Sequence, residues 1–255
     1  MSIDQAMHML GSAPARVLVC DGPAVEVEGA TVVVPEGSRR LVALVALLGP
    51  SIDRRFAAGT LWPESTDARA SSNLRTAMWR LRGQGIAVLE TSGTRVQLQR
   101  DVVVDIVQLD GWADRVIAGA ESEADHSLPA LAAQALDLLP GWYDDWVVRQ
   151  RDIRRQRILH AIEALSASLV RVGKCADAVD VAMWAVRAEP FRESAHRALA
   201  GALLGDGNLV EAVRVYREFR RALHRELGVE PTAAFRALLG AHVPLDRLRT
   251  ALLGP

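Results

Sequence analysis

The sequence predicts a mainly α-helical, multi-domain protein: a small antiparallel sheet with three helices and a hairpin, followed by an all-α array of repeated helices. Three observations predict it. Short β-branched runs separated by turn chemistry occupy residues 16–34, segments of helical periodicity bounded by Pro and Gly fill most of the rest, and the helical half repeats at a spacing of 34 residues. A length of 255 residues, at roughly 150 per domain, leaves room for two small domains. The expected boundaries are a tail at 1–15, a first domain at 16–103 and a second at 104–255.

The tail has no clear period and runs out in Gly11-Ser-Ala-Pro14. Residues 16–20, 24–27 and 31–34 then read as strands around Asp21-Gly-Pro23 and Glu28-Gly-Ala30, turn chemistry that suits an antiparallel meander. Helical signals begin after Pro35. An apolar helix over 38–48 stops at Gly49-Pro50, and a shorter one over 53–61 closes at Trp62-Pro63. A third, capped by Thr66 or Asp67, runs through Leu81 to the breaker Gly83-Gln-Gly85. Residues 86–90 and 95–99 alternate around Ser92-Gly93 as a hairpin.

From Val104 onward the pattern predicts helices at 105–118, 127–138, 144–172, 176–189, 193–204, 209–227 and 232–239. A shift of 34 residues places Leu165 on Leu199, Leu169 on Leu203, Gly173 on Gly207, Ala178 on Ala212 and Val179 on Val213. That period belongs to tetratricopeptide-type repeats, in which two helices pack where small residues let them approach and a Gly makes the turn. Tyr216 and Phe219 fill aromatic positions of the second copy, and Pro190 falls where the first should stop. Stacked repeats of this kind present a groove.

Composition excludes several classes. Half the residues are apolar and 24% are charged, as in globular proteins. The longest apolar run, 41–48, is far short of a membrane span, and no basic region precedes an apolar stretch at the amino terminus, so a cytoplasmic protein without membrane association is expected. Cys20 and Cys175 are too few and too far apart for a metal or redox pair and are expected as buried thiols. The single lysine, in Val172-Gly-Lys-Cys175, lacks the upstream glycine of a phosphate loop. No HExxH or GxSxG occurs, and the six histidines lack ligand spacing. The expectation is no enzyme, no metal and no cofactor, with His160, His196 and His224 at interfaces or on the surface.

Net charge is -1, but its distribution is uneven: residues 36–100 hold ten arginines against five acids. Within that stretch, residues 69–82 carry the most information. At 100° per residue, Ala70, Leu74, Ala77, Met78 and Leu81 share one face, while Arg69, Ser72, Asn73, Thr76, Trp79 and Arg80 share the other, with Arg75 and Arg82 at its margin. Arg can bind guanine through two hydrogen bonds, Asn adenine likewise, a Thr methyl can meet thymine, and Ser can hold phosphate. A solvated amphipathic helix is the plainer alternative. Two preceding helices and a following Gly-tipped hairpin with Thr94 and Arg95 complete a winged helix-turn-helix, whose third helix enters the major groove while its wing touches the neighbouring minor groove or backbone.

Leu61-Trp-Pro63, the run from Asn73 to Arg82 and the repeat half together resemble the SARP-type bacterial activators, an OmpR-like winged helix joined to a bacterial transcriptional activation domain (BTAD). Leu139-Pro-Gly-Trp-Tyr-Asp-Asp-Trp146, Glu189-Pro-Phe-Arg-Glu193 and above all Glu226-Leu-Gly-Val-Glu-Pro231 resemble recurring segments of that domain. The resemblance spans nearly all of residues 16–240. It implies an activator that binds direct repeats in double-stranded promoter DNA, as two copies at least on DNA, and contacts RNA polymerase. Carried onto this sequence, it assigns DNA binding to Arg69, Ser72, Asn73, Arg75, Thr76, Arg80, Arg82, Thr94 and Arg95. It assigns the polymerase-facing loop to Trp62, Glu64 and Asp67. Trp79 stands where a smaller polar residue is common, and both a DNA-facing place and one packed on the wing are open to it.

Two further clusters read as structural. Arg149, Arg151, Arg154, Arg155 and Arg157 are expected on a solvated face beside the repeats, partnered by Asp144, Asp145 and Asp152. Trp142, Tyr143 and Trp146 are expected in the core. The rival to the regulator is an interaction adaptor, in which the repeat groove binds a protein and the winged fold has lost specific DNA binding. The two differ in whether the exposed face of residues 69–82 is open.

Overall fold

The computed structural model describes residues 15–241; all of the predicted tail except Ala15 lies outside the described residues. The chain forms two compact units. Among the described residues one comprises 15–111 with 130–155, the other 112–129 with 156–241.

The first unit contains β1 (Arg16–Leu18), β2 (Ala24–Val27), β3 (Ala30–Val32), α1 (Glu36–Leu48), β4 (Ser51–Asp53), α2 (Arg54–Leu61), α3 (Asp67–Gly83), β5 (Leu89–Ser92), β6 (Arg95–Leu98) and β7 (Val103–Val104). The meander forms as expected, with Val17 opposite Val25 and Val25 opposite Val32. Two strands were not anticipated. β7 joins β1 in parallel, so the first sheet runs β3-β2-β1-β7, and β4 joins the hairpin as a third strand in the order β4-β6-β5. Segments of two or three residues carry no readable alternation; their pairing partners make them strands.

Asp105, 2% exposed, closes this first sheet. It opens α4 (Asp105–Ala118), and its carboxylate accepts hydrogen bonds from the amides of Val19 and Cys20 at 3.0 Å and of Ile106 at 2.6 Å. Burial, then the neighbouring Asp105, pushes the Cys20 thiol far up. Helix α1 is enclosed on every side, with Leu41 to Leu47 at most 3% exposed.

After α4 the expected helix at 127–138 is replaced by a 3-10 turn at Glu123–Asp125 and a short α5 (Leu131–Ala135). Pro129 disfavours helical geometry at Leu128, and Leu139, ahead of Pro140, has φ 52°. The carbonyls this break releases are capped by arginines from α6 (Asp145–Arg171). Arg155 donates to Leu136 at 2.9 Å, while Arg151 donates to Leu138 and Leu139 at 2.7 Å and to Trp142 at 3.1 Å. Arg154 reaches the Leu47 carbonyl at the end of α1, 2.9 Å, and pairs with Asp110 at 3.5 Å. Arg151, Arg154 and Arg155 therefore do not lie on a solvated face, whereas Arg149 and Arg157 are exposed: Arg151 and Arg154 are 17% and 11% exposed, and their acidic partners are Asp137 and Asp110. Asp144 pairs instead with Arg40 of α1. Of the aromatic trio, Trp146 is buried, Trp142 half-buried and Tyr143 exposed.

In the second unit, α6 turns into α7 (Cys175–Ala188), and α8 (Glu193–Gly205) into α9 (Leu209–Leu227). Gly173 and Gly207 make these turns at φ 79° and 75°, left-handed values that favour glycine. The 34-residue shift holds at the level of single hydrogen bonds. Lys174 N to Leu169 O, 2.9 Å, recurs as Asn208 N to Leu203 O, 2.8 Å. Ala178 and Ala212 are fully buried where the helices approach. A Cβ on Gly205 would lie 2.9 Å from Val170 and 3.2 Å from the Cys175 sulfur, so α8 has no room for a side chain there. Cys175 is half-buried rather than buried, and both cysteines are free.

Two of the family-like segments meet in this unit. Gly228, φ 69°, caps α9; Glu230 then folds back onto Arg220 at 2.6 Å, and Thr232 precedes α10 (Ala233–Gly240). Thr232 donates its amide, at 2.9 Å, and its hydroxyl to Glu193. Arg192 in turn pairs with Glu163 at 2.5 Å. Tyr216 meets Phe235 edge to face at 5.0 Å, and His196 lies on Phe219 at 4.3 Å. Burial lowers the pKa of His196.

Removing the Asp105 carboxylate leaves buried amides without an acceptor. Asp105→Ala is expected to cost about 3 kcal/mol, read as a lowered urea midpoint. Asp125 gives a pH signature: Arg115 and the amide of Ser122 hold its carboxyl well below the usual range. A depressed folded pKa contributes stability above the unfolded value, about 4, and loses it as pH falls toward the folded one. Asp125→Asn is therefore expected to be less stable than the parent at pH 7, by a margin that closes below about pH 4. A margin independent of pH in urea titrations would contradict this.

Candidate nucleic-acid interface

The interface is built on α3. Thr66 caps it, accepting from the Arg69 amide at 3.4 Å, and Ala70, Leu74, Ala77, Met78 and Leu81 are buried as the helical period requires. Ser38 of α1, fully buried, donates its hydroxyl to the Ala77 carbonyl at 2.9 Å. The opposite face stays open: Arg69, Ser72, Arg75, Thr76, Trp79, Arg80 and Arg82 are all exposed, and Asn73 is half-exposed.

These side chains do not form one cluster. Ser72, Thr76 and Trp79 stack along the centre of the exposed face; Arg69, Asn73 and Arg80 follow one flank and Arg75 and Arg82 the other. Thr76 donates its hydroxyl to the Ser72 carbonyl at 3.0 Å, so its methyl is the outward group. Trp79 is 71% exposed, which places it on the open face and not packed on the wing. A Cβ on Gly37 would lie 2.8 Å from Arg80 Nη1, so the Arg80 guanidinium rests over the start of α1.

The wing is the two-residue Gly93-Thr94 turn between Ser92 and Arg95, with Gly93 at φ 57°, where glycine is favoured at the first turn position. Arg95 is engaged within the fold: its Nε donates to Ser51 Oγ at 2.7 Å and its Nη2 to Ser51 O at 2.6 Å. Thr94 lies exposed at the tip, while its carbonyl accepts from the Arg54 amide at 2.8 Å. Arg75, Ser71, Gly93, Thr94, Arg54 and Arg55 line a cleft of about 530 Å³ between α3, the wing and the start of α2.

Arg54 and Arg55 were counted in the basic stretch but not assigned to a site. The signal that could have found them is Asp53, a helix cap directly before two arginines, which puts both at a helix N-terminus. Asp53 accepts from the amides of Phe56 at 3.1 Å and Arg55 at 2.8 Å, and these bonds lower its pKa. Of the predicted polymerase-facing residues, Glu64 and Asp67 are exposed and Trp62 is half-buried, in the connection from α2 to α3 and its first turn. Among the described residues no group of three His, Cys, Asp or Glu is placed to hold a metal, and no helix is long and apolar enough to cross a membrane.

A winged helix with an open basic third helix, followed by a helical-repeat unit, defines a two-part protein of regulator architecture. Residues 109–241 match the bacterial transcriptional activator domain; the chain belongs to that family, the SARP-type transcription regulators. It is 30% identical over 209 residues to the regulatory protein AfsR of Streptomyces griseus, covering 76% of this chain and 21% of that protein. With AfsR of Streptomyces coelicolor the identity is 30% over 216 residues, 79% of this chain and 22% of the relative. The chain thus spans about a fifth of these relatives' length. EmbR of Mycobacterium tuberculosis, solved in complex with a low-affinity phosphopeptide, has the same fold, with a TM-score of 0.64 at 17% identity over 94% of this chain and 68% of EmbR.

The Ser38 hydroxyl links α1 to the buried side of α3, opposite the exposed face. Ser38→Ala is expected to lower stability by about 1 kcal/mol while preserving the helical circular dichroism, and a urea melt checks it.

Proposed function

We propose that the protein binds repeated sequences in promoter DNA through α3 and activates transcription at the nucleoid. The observation that carries this reading is the open face of α3, where exposed arginines and hydrogen-bonding groups surround the helix on the side away from its core. Arg75 and Arg69 suit guanine edges or phosphate, Asn73 suits adenine, and Ser72 suits phosphate. Thr94 at the wing tip and Arg55 at the helix N-terminus flank the same cleft and suit the DNA backbone. Arg80 and Arg82 border the face, and Arg95 acts by holding the wing on Ser51. The α2–α3 connection with Trp62, Glu64 and Asp67 is the surface for RNA polymerase. Residues 16–103 serve as the DNA-binding domain, and 104–255 serve dimerisation, partner contact or signal input.

An interaction role for the second unit draws support from its own groove. A cavity of about 750 Å³ lies among α4, α6, α8 and α10, floored by Ala164, Ala167, Ala198 and Gly201. An apolar groove of that size suits a partner segment and adds to the DNA reading without competing with it.

Selection of genomic fragments by the purified protein, followed by binding at two salt concentrations, tests the proposal. Enrichment of a repeated motif bound well above random DNA is expected; equal, salt-sensitive binding to every fragment would refute it. On the selected operator, Arg75→Ala is expected to cost roughly 1–3 kcal/mol with relaxed preference at one base pair. Uniform loss across operator variants would move Arg75 to the phosphates.

A further inference from the structure

Trp79 sets this α3 apart. Its side chain is 71% exposed on a face otherwise built of charged and hydrogen-bonding groups, on a helix whose other large apolar residues are buried. At 100° per residue it projects between Ser72 and Arg75, beside Thr76. Thr76 adds to it, because its hydroxyl is turned to the Ser72 carbonyl and its methyl faces out. Beside Ser72, the middle of the exposed face therefore carries an apolar spot of an indole ring and a methyl group, with Arg69, Arg75, Arg80 and Arg82 arrayed around it.

We infer that Trp79, with the Thr76 methyl, reads thymine by contact with its 5-methyl group, giving this protein a specificity determinant for a T-containing step in each half-site. In the major groove only thymine offers an apolar group, and side chains that recognise it do so by non-polar contact. An indole has a single donor and no acceptor, so it cannot make the bidentate bonds that mark purines. The occupant is nucleic acid rather than protein because of the surround: the four arginines suit a polyanion, and a protein partner would have to neutralise each of them. This rests on the proposed binding of DNA by α3.

The experiment replaces thymine by deoxyuridine, one position at a time, in the operator selected by the 255-residue chain. This removes the methyl and leaves base pairing intact. The parent is expected to lose affinity on the order of fourfold at one or two positions of each half-site, the worth of one buried methyl group. Trp79→Ala should bind the thymine operator more weakly and be indifferent to the replacement, while Trp79→Phe should retain sensitivity. Trp79 is exposed, so neither substitution disturbs the core. Specific binding with no response to deoxyuridine at any position would overturn the inference and leave the DNA reading intact. So would equal sensitivity in the parent and Trp79→Ala, or a Trp79→Ala protein altered only in self-association by sedimentation. Failure of the parent to select any motif would overturn both.

Discussion

A helix without a polar side has to be enclosed, and the first unit is organised around that requirement. From Leu41 to Leu47 every residue of α1 is apolar and at most 3% exposed. α3 supplies part of the enclosure with a narrow stripe of Ala, Leu and Met, and a helix that buries only a stripe turns the remainder of its circumference outward. The open face that defines the candidate interface is thus the geometric remainder of covering α1. The chain from 130 to 155 contributes as well, reaching the last turn of α1 through Arg154 and its first turns through Asp144.

How much of this could be read from the sequence depended on whether a feature is local. α1, α2, α3 and the hairpin were legible because caps, breakers and periodicity lie within each segment. The 34-residue repeat was legible for the same reason, down to the glycines at 173 and 207. β4 and β7 were not, since three-residue and two-residue strands exist only through their neighbours. The helix expected at 127–138 failed on Pro129, which disfavours helical geometry at Leu128 although the residues that follow are apolar. The arginines from 151 to 155 looked like solvent-facing charge because the backbone carbonyls they bond lie nine or more residues away, and carbonyls have no sequence signature.

The candidate site divides in the same way. The exposed and buried faces of α3 follow from the helical period alone. That Arg95 is tied to Ser51 and that Arg80 lies over Gly37 follows from tertiary approach, and neither could be inferred from spacing. The family-like segments show why such stretches recur together: Glu193 from one holds Thr232 beside the other, so each is half of a joint. A change at Glu193 leaves the Thr232 amide and hydroxyl without their acceptor, which costs more than the bonds themselves contribute.

The use of arginine in these joints has a chemical corollary. Guanidinium groups offer several donors in a rigid fork, which lets one side chain clamp the carbonyls of Leu47, Leu136 or Leu139 in a fixed geometry. They are also invisible to enzymes that acylate amines. One lysine occurs among the thirty basic residues, Lys174, at the α6–α7 turn and 3.9 Å from Glu123. Lysine acylation, a common route for adjusting basic proteins, therefore has a single side chain to act on, far in sequence from α3, and would leave the charge of the α3 face untouched.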